Sequence, residues 1–220
     1  MDDIILMADP RVAAVPVLDC GERLMDVRKT DSLLVDGRKQ DPRGAFAHLR
    51  EGVIDRLLQA QAVLPHGLRL LLIEGYRPPS QQRRYFEEYA AELRNTHQDW
   101  STAQIRAATS RFVSPPEIAP HSAGAAVDLT LAGLDGRELD LGTPIDANPE
   151  QSAGACYTHA DTITNEARRN RTVLAAALTS AGLVNYPTEW WHWSFGDRYW
   201  ALATKAPAAL YGPKEPDSPW

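Results

Sequence analysis

Two short segments, far apart in the sequence, constrain the fold of this chain more than any other feature. They are His121-Ser-Ala-Gly-Ala-Ala-Val-Asp128 and Glu189-Trp-Trp-His192. Two imidazoles and a carboxylate can bind a zinc ion and leave its fourth position open, and a nearby glutamate can act as a general base toward water there. A chain that uses these residues together must bring the two segments side by side. The residues therefore predict metal-assisted hydrolysis.

The first segment is predicted to run from a loop into a strand. Residues 114–120 contain three prolines, which deny the chain regular structure before His121. Residues 125–131 alternate large apolar side chains with small or polar ones at a period of two, as a half-buried strand does. Asp128 is then expected on the face opposite the large apolar residues, and Gly124 allows the tight turn that brings it near the loop histidine.

The second segment, residues 189–195, is apolar and aromatic and is a further strand candidate. Residues three apart on a regular strand face opposite sides. Glu189 and His192 can therefore serve one site only if the strand is interrupted, and we predict a bulge or bend near Trp190 and Trp191.

Elsewhere the patterning predicts several helices and one further strand. Capping residues, prolines and glycines mark the ends of these elements. Residues 137–161 are rich in Gly, Pro, Asp and Asn and are expected to be irregular. The predicted elements are helices near 41–64, 81–94, 101–111, 164–181 and 197–203 and a buried strand at 68–73.

The composition limits the partners of the chain. A net charge of -6 at pH 7 argues against nucleic acid or an anionic membrane surface as a partner. The sequence has no run of about 18 apolar residues, so no transmembrane helix is expected, and its start lacks the pattern of a secretory signal. We therefore expect a cytoplasmic protein with two reduced cysteines, Cys20 and Cys156, and leave its oligomeric state open.

Four sequence elements together resemble one enzyme family. HSAGAAVD followed by LTL, and EWWHW downstream, resemble the two signatures of the zinc D-alanyl-D-alanine dipeptidases, the type known from vancomycin resistance. The broader group includes D,D-carboxypeptidases with the same metal site. Glu74-Gly-Tyr-Arg-Pro78 resembles the strand end that carries the family's conserved arginine, and Asp140-Leu-Gly-Thr-Pro-Ile-Asp146 is similar to its Gly-Thr-Pro segment. The resemblance covers residues 65–200 in order.

The resemblance implies a role for each matched residue. His121, Asp128 and His192 match the ligands of one zinc ion per chain. Glu189 matches the catalytic glutamate, and Arg77 matches the arginine thought to stabilise the tetrahedral transition state. These assignments follow from the family match and not from the spacing of the residues alone.

Further positions bear on the substrate. We expect Tyr76, Ser122, Trp190 and Trp191 to contact it, because they neighbour the matched residues. Where the family has a serine two residues before the first histidine, this chain has Ala119. A hydroxyl at that position can bind substrate or order the loop, so its loss leaves the choice of substrate open.

The family fold implied by the resemblance is α+β, with a small central antiparallel sheet flanked by helices, as in the zinc D,D-peptidase or hedgehog-like fold. We expect one such domain over residues 1–220. Residues 1–40 match the family poorly and can contribute to the mouth of the pocket. Residues 207–220 are Pro-rich and are expected to form a loosely held tail.

The sequence thus predicts zinc-dependent hydrolysis of D-alanyl-D-alanine or a closely related short dipeptide, with a role in cell wall biogenesis or degradation. One alternative is a D,D- or L,D-carboxypeptidase on peptidoglycan stem peptides, or an amidase on another small peptide. Another is a non-catalytic zinc-binding module, which would be marked by loss of the general base, whereas Glu189 is present. Arg77 also has a structural interpretation, in which it only pairs with Glu74 or caps a helix.

Overall fold

A five-stranded sheet lies at the centre of the computed structural model, which describes residues 4–215. A separate two-stranded sheet lies beside it. The strands are β1 (Leu24–Asp26), β2 (Leu34–Val35), β3 (His48–Arg50), β4 (Leu68–Glu74), β5 (Ala126–Gly133), β6 (Val184–Asn185) and β7 (His192–Ser194). The helices are α1 (Pro10–Ala14), α2 (Glu51–Val63), α3 (Pro79–Thr96), α4 (Thr102–Thr109), α5 (Asn165–Ser180) and α6 (Arg198–Thr204).

The strand order in the large sheet is β2-β4-β5-β7-β6, and β1 pairs with β3 in the small one. All neighbouring pairs are antiparallel except β2 and β4, which are parallel. The predicted α+β class with a small sheet between helices is confirmed, and the structure adds one parallel pair at the edge. The longest strands, β4 and β5, come from the apolar runs that the sequence marked as strands.

The main hydrophobic core lies between the large sheet and helices α2 and α5. Val127, Leu129 and Leu131 of β5 are buried in it together with Leu57 of α2 and Leu174 of α5. The face of β5 that carries Asp128 points the other way, as the alternation predicted. Helices α3 and α4 contact one another on that side of the molecule and leave room for a cavity.

The predicted helix over residues 41–64 is wrong in its first half. The helix begins at Glu51, and residues 45–47 form a 3-10 turn that leads into β3. Gly44 enters the turn with a left-handed backbone at φ 68°, which is incompatible with a continuous helix. All three residues of β3 are buried and paired with β1, so no exposed helical face exists there.

The other predicted elements are present with shifted ends. The helix of α3 and the strand β4 are each longer than expected, and Ser101 and Gln104 form the predicted capping box of α4. Thr164 caps α5, whose end is followed by Gly182 at φ 84°. The second segment contains the predicted bend, because only His192–Ser194 is strand.

The two ends of the described chain pack together. The expected loose tail differs from the structure over residues 208–214, where Ala208, Ala209 and Tyr211 are buried. Leu18 donates its backbone N–H to the Ala209 carbonyl at 2.9 Å, so the N-terminal segment holds this part of the chain. The expectation for residues 216–220 lies outside the described residues.

Two expectations from composition can be compared with the described residues. Cys20 is exposed and Cys156 is buried, and the two are not joined by a disulfide. Over residues 4–215, no helix has both the length and the apolar character needed to cross a membrane.

Candidate metal centre and active site

Three charged or metal-ligating residues lie in one row across the central sheet. Asp128 of β5 is opposite Glu74 of β4 on one side and opposite His192 of β7 on the other. The register of β4 and β5 shifts between Leu72 and Glu74, so that Ile73 is an extra residue in β4. This bulge places Glu74, rather than the apolar Ile73, beside Asp128 on the same face of the sheet.

His121 reaches the row from the loop before β5. It opens a 3-10 turn that ends at Gly124, whose left-handed backbone at φ 65° turns the chain into the strand. The His121 Nδ1 lies 2.7 Å from the carbonyl oxygen of Gly75. A carbonyl can only accept, so Nδ1 carries the proton of the neutral ring, and Nε2 then has a lone pair that faces the row.

The side chains of His121, Asp128 and His192 form a compact triangle of donor atoms. His121 Nε2 is 3.2 Å from His192 Nδ1 and 3.4 Å from Asp128 Oδ1, and the latter two atoms are 3.0 Å apart. Zinc bonds of 2.0–2.1 Å in a tetrahedral site place neighbouring donors about 3.3 Å apart. The two imidazoles and the carboxylate therefore fit one zinc ion in kind and in spacing.

The electrostatics of this triangle favour a cation. Burial alone would raise the pKa of Asp128, but His121 and His192 hold it well below its usual range, so Asp128 is ionised. Burial alone would lower the pKa of His121, but Asp128 raises it above its usual value. In the metal-free protein the cluster therefore retains a proton that a divalent cation would displace.

Glu189 lies at the edge of the triangle. Its Oε2 is 3.9 Å from His192 Nδ1, and its side chain is 16% exposed. A turn closed by the hydrogen bond from the His192 N–H to the Glu189 carbonyl, at 3.2 Å, brings both side chains to one side. Burial raises the pKa of Glu189 to about 7, although His192 opposes the shift. A carboxylate with that pKa is suited to accept and return a proton near neutral pH.

Arg77 lies beside this group and is held by two buried side chains. Its Nε and Nη2 donate to the two oxygens of Glu74, each at 2.7 Å, and its Nη1 donates to Gln82 Oε1 at 2.9 Å. The pairing with Glu74 that the sequence allowed is therefore present. A guanidinium has five N–H donors, so two remain without an acceptor within residues 4–215.

A cavity of about 340 Å³ opens beside the triangle, Glu189 and Arg77. One of its walls is a stripe of α3 that runs from Gln82 through Tyr85 and Tyr89 to Glu92. Because an α-helix rises 1.5 Å per residue, this stripe is about 15 Å long. The wall therefore extends well beyond the triangle of His121, Asp128 and His192.

The structure places only part of the expected substrate-contacting set at the cavity. Trp191 lines it, as does Ala119. Trp190 instead donates from Nε1 to Thr143 Oγ1 at 2.8 Å, within the apolar core. The bend between Glu189 and His192 sends the two adjacent tryptophans in different directions, with ring planes at 89°.

Tyr76 and Ser122 also differ from the expectation, since neither lines the cavity. The Tyr76 hydroxyl donates to the Lys214 carbonyl at 2.5 Å, and the Ser122 hydroxyl donates to the Arg77 carbonyl at 2.9 Å. Both side chains hold backbone near the site. Their sequence neighbours Arg77 and His121 line the cavity, whereas the side chains of Tyr76 and Ser122 point away from it.

Two cavity residues come from the N-terminal part of the chain, which the sequence motifs did not identify. Met7 and Lys39 both line the cavity. The Lys39 ammonium contacts Asp146 at 2.5 Å and lies 3.9 Å from Glu74. No local pattern marks these residues, because they reach the site through the packing of distant segments.

Comparison with known proteins identifies the family of this chain. The chain matches the model of the peptidase family M15, described as D-ala-D-ala dipeptidase, over residues 34–207. A protein from Synechocystis sp. named D-alanyl-D-alanine dipeptidase is 28% identical over 86% of this chain and 87% of its own length. Proteins of the same name from Enterococcus faecalis and Enterococcus faecium are 33% and 32% identical, over 60% and 65% of this chain and 64% and 70% of theirs. The chain therefore belongs to the M15 peptidase family and is an enzyme of the peptidase class.

Proposed function

We propose that this chain hydrolyses the peptide bond of D-alanyl-D-alanine, or of a closely related short dipeptide, with one zinc ion bound by His121, Asp128 and His192. The observation that carries the proposal is the triangle of buried donors, 3.0–3.4 Å apart, with a carboxylate of raised pKa at its edge. The family and the names of the relatives support the dipeptide as substrate.

When bound, zinc would act as a Lewis acid toward the scissile carbonyl and would lower the pKa of water at the site. Glu189 accepts the proton of the attacking water and then donates it to the departing amine. The raised pKa of about 7 makes the same carboxyl group able to do both. Its position, 3.9 Å from His192 Nδ1, keeps it next to the reacting centre.

Arg77 is proposed to stabilise the negative charge that develops on the carbonyl oxygen. It has two N–H donors left after its bonds to Glu74 and Gln82. Because those bonds fix the guanidinium before substrate arrives, little reorganisation is needed during the reaction. Loss of one such donor typically costs about 3–4 kcal/mol of transition-state stabilisation.

A second candidate is a carboxypeptidase that removes the last residue from a longer peptide. The wall of α3 that lines the cavity from Gln82 to Glu92 favours it. That stripe spans about 15 Å, whereas an extended dipeptide spans roughly 7 Å. The two candidates share the same chemistry and differ in how much substrate the cavity holds.

The test combines metal analysis with a substrate panel. We expect one zinc ion per chain in the wild type, none in His121→Ala, and hydrolysis of D,D dipeptides in preference to L,D and L,L dipeptides. Glu189→Gln should retain zinc and lose more than about a hundredfold in kcat. Faster cleavage of an N-acylated tripeptide than of the free dipeptide would favour the second candidate. Wild-type protein that binds no zinc, or Glu189→Gln with normal activity, would overturn the proposal.

A further inference from the structure

Arg50, at the end of β3, is a fully buried arginine that contacts three distant parts of the chain. Its Nε donates to the Ala123 carbonyl at 2.8 Å. Nη1 donates to the Glu22 carbonyl and to Asp19 Oδ1, and Nη2 donates to Asp19 Oδ2 and to the Gly212 carbonyl. Since a guanidinium has five N–H donors, each one has an acceptor.

Two of these parts form what we call the terminal brace, residues 17–22 with residues 209–214. Their backbones are joined by hydrogen bonds from Leu18 to Ala209 and from Cys20 to Leu210. The Tyr211 hydroxyl donates to Glu22 at 2.7 Å, and the Arg50 guanidinium lies over the Tyr211 ring at 5.1 Å. Both parts of the brace lie outside residues 34–207, the region that matches the family.

The third part is the turn that carries His121. The carbonyls of the three residues after this histidine all accept hydrogen bonds from the brace or from Arg50. The Ser122 carbonyl accepts from the Lys214 N–H at 2.9 Å. The Ala123 carbonyl accepts from Arg50 Nε at 2.8 Å, and the Gly124 carbonyl accepts from the Arg50 backbone N–H at 2.9 Å. The turn is thus held at Ser122, Ala123 and Gly124, the three residues that follow His121. The direction of the His121 ring depends on this turn.

We propose that Arg50 is a positioning residue for the metal centre, which couples the terminal brace to the His121 turn and thereby sets the affinity for zinc. The inference rests on the proposed zinc site. A turn that is already ordered presents its imidazole without loss of backbone freedom when the cation binds. A turn released from Arg50 must become ordered when the cation binds. The free-energy cost of that ordering weakens zinc binding by an equal amount.

The experiment measures the zinc dissociation constant of the metal-free protein by competition with a chromophoric chelator. Arg50→Lys keeps the charge but cannot reach all five acceptors. We expect it to weaken zinc binding by ~10–100-fold, the range found when residues that orient metal ligands are changed. Asp19→Asn keeps the shape of the brace and weakens its ion pair, and should shift the constant in the same direction by ~3-fold or more.

Arg171 provides the matched control. It is also buried, donates to the carbonyls of Leu141, Tyr157 and Ala155, and lies over Trp190 at 5.4 Å, but makes no contact with the His121 turn. We expect Arg171→Lys to lower the unfolding temperature as Arg50→Lys does while the zinc constant stays within ~2-fold of the wild type. Near-UV circular dichroism checks that each variant is folded.

The outcomes separate this inference from the proposed function. If the wild type binds zinc and both Arg50→Lys and Asp19→Asn bind it equally well, the positioning role is overturned and the zinc site stands. If Arg171→Lys weakens binding as much as Arg50→Lys, the effect is general destabilisation and the role is again overturned. A wild type without zinc affinity overturns the metal site itself. Should Arg50→Lys fail to fold, Asp19→Asn alone decides.

Discussion

At the scale of single residues, the burial that suits Glu189 to proton transfer also lowers the stability of the fold at higher pH. Burial raises the pKa of its carboxyl group from 4.5 to about 7. The folded protein therefore binds a proton that the unfolded chain releases between these two values. As the pH rises from 4.5 to about 7, the carboxyl group makes folding progressively less favourable. The free energy of unfolding that this group contributes at low pH is lost as the pH passes about 7.

We predict that Glu189→Gln, the variant expected to lose more than about a hundredfold in kcat, stabilises the metal-free protein at about pH 8. The amide cannot ionise, so the variant avoids a cost on the order of 3 kcal/mol that the wild type bears above its folded pKa. Urea unfolding at about pH 4 and about pH 8 measures the effect. Variant and wild type should agree at the lower pH and diverge at the higher one, and equal stability at both would contradict the shift.

Gln82 offers a second prediction at this scale. It accepts from Arg77 Nη1 and donates from Nε2 to the Ser114 carbonyl at 2.8 Å. Gln82→Ala releases one side of the guanidinium, and we expect kcat to fall by about tenfold, the equivalent of one buried hydrogen bond, with zinc content unchanged. The matched control is Gln81→Ala, since Gln81 contacts Tyr85 instead. A control that loses as much activity would exclude a specific role for Gln82.

The principal site residues could be named from the sequence because they lie within short motifs. The structure brings His121, Asp128, His192 and Glu189 together as the motifs required. The residues that hold these side chains in place, such as Gln82, were harder to identify from the sequence. Nothing adjacent to Gln82 in the sequence marks its bond to Arg77, since the bond depends on how α3 packs.

At the scale of elements, a single extra residue in β4 determines which side chains meet. The apolar runs predicted both β4 and β5, but neither run reveals their register. The bulge at Ile73 moves Glu74 opposite Asp128, and so places the partner of Arg77 next to a proposed metal ligand. The short strand β3 was missed for a related reason. Its three buried residues have no period that a helix or a half-buried strand would show.

The N-terminal cap of α5 was easier to predict, and its contribution can be tested. The Thr164 hydroxyl accepts the Ala167 N–H at 3.0 Å and so caps α5. We predict that Thr164→Ala lowers the free energy of unfolding by about 1 kcal/mol, while Thr164→Ser changes it little. Urea unfolding of the two variants provides the comparison. Since α5 contributes no ligand, a change in zinc affinity in Thr164→Ala would contradict this account.

At the scale of the whole molecule, the triangle of proposed metal ligands joins parts of the chain that are remote in sequence. His121 comes from a loop, Asp128 from β5 and His192 from β7. Their convergence also concentrates buried charge, which is costly without a cation. Metal binding is therefore expected to contribute to the stability of the entire domain.

We predict that a chelator lowers the unfolding temperature of the zinc-loaded wild type by about 5–10 °C. A ligand at a hundred times its dissociation constant stabilises by about 2.7 kcal/mol, and each kcal/mol moves the midpoint of a chain of this size by about 2–4 °C. Differential scanning calorimetry with and without chelator measures the shift. His192→Ala is the control, and a chelator effect of full size in that variant would place the ion elsewhere.

The arrangement of the chain ends was the least predictable feature from the sequence. The Pro-rich stretch after residue 207 suggested a loose tail, yet Ala208, Ala209 and Tyr211 are buried against other segments. Ala209 pairs with Leu18, and Tyr211 bonds Glu22, both near the opposite end of the chain, so no local pattern reveals these contacts. The same separation hides the contacts of Arg50 with Asp19 and Gly212.

The contact between Arg50 and the Gly212 carbonyl has a consequence for synthesis in the cell. Ribosomes build proteins from the amino end, so His121, Asp128 and His192 all emerge before Gly212 does. A nascent chain therefore contains all three proposed ligands before the segment around Gly212, which helps to hold the His121 turn, has been synthesised. If the proposed metal site is correct, we expect firm zinc binding only after residues 209–214 have been synthesised and have packed against Arg50.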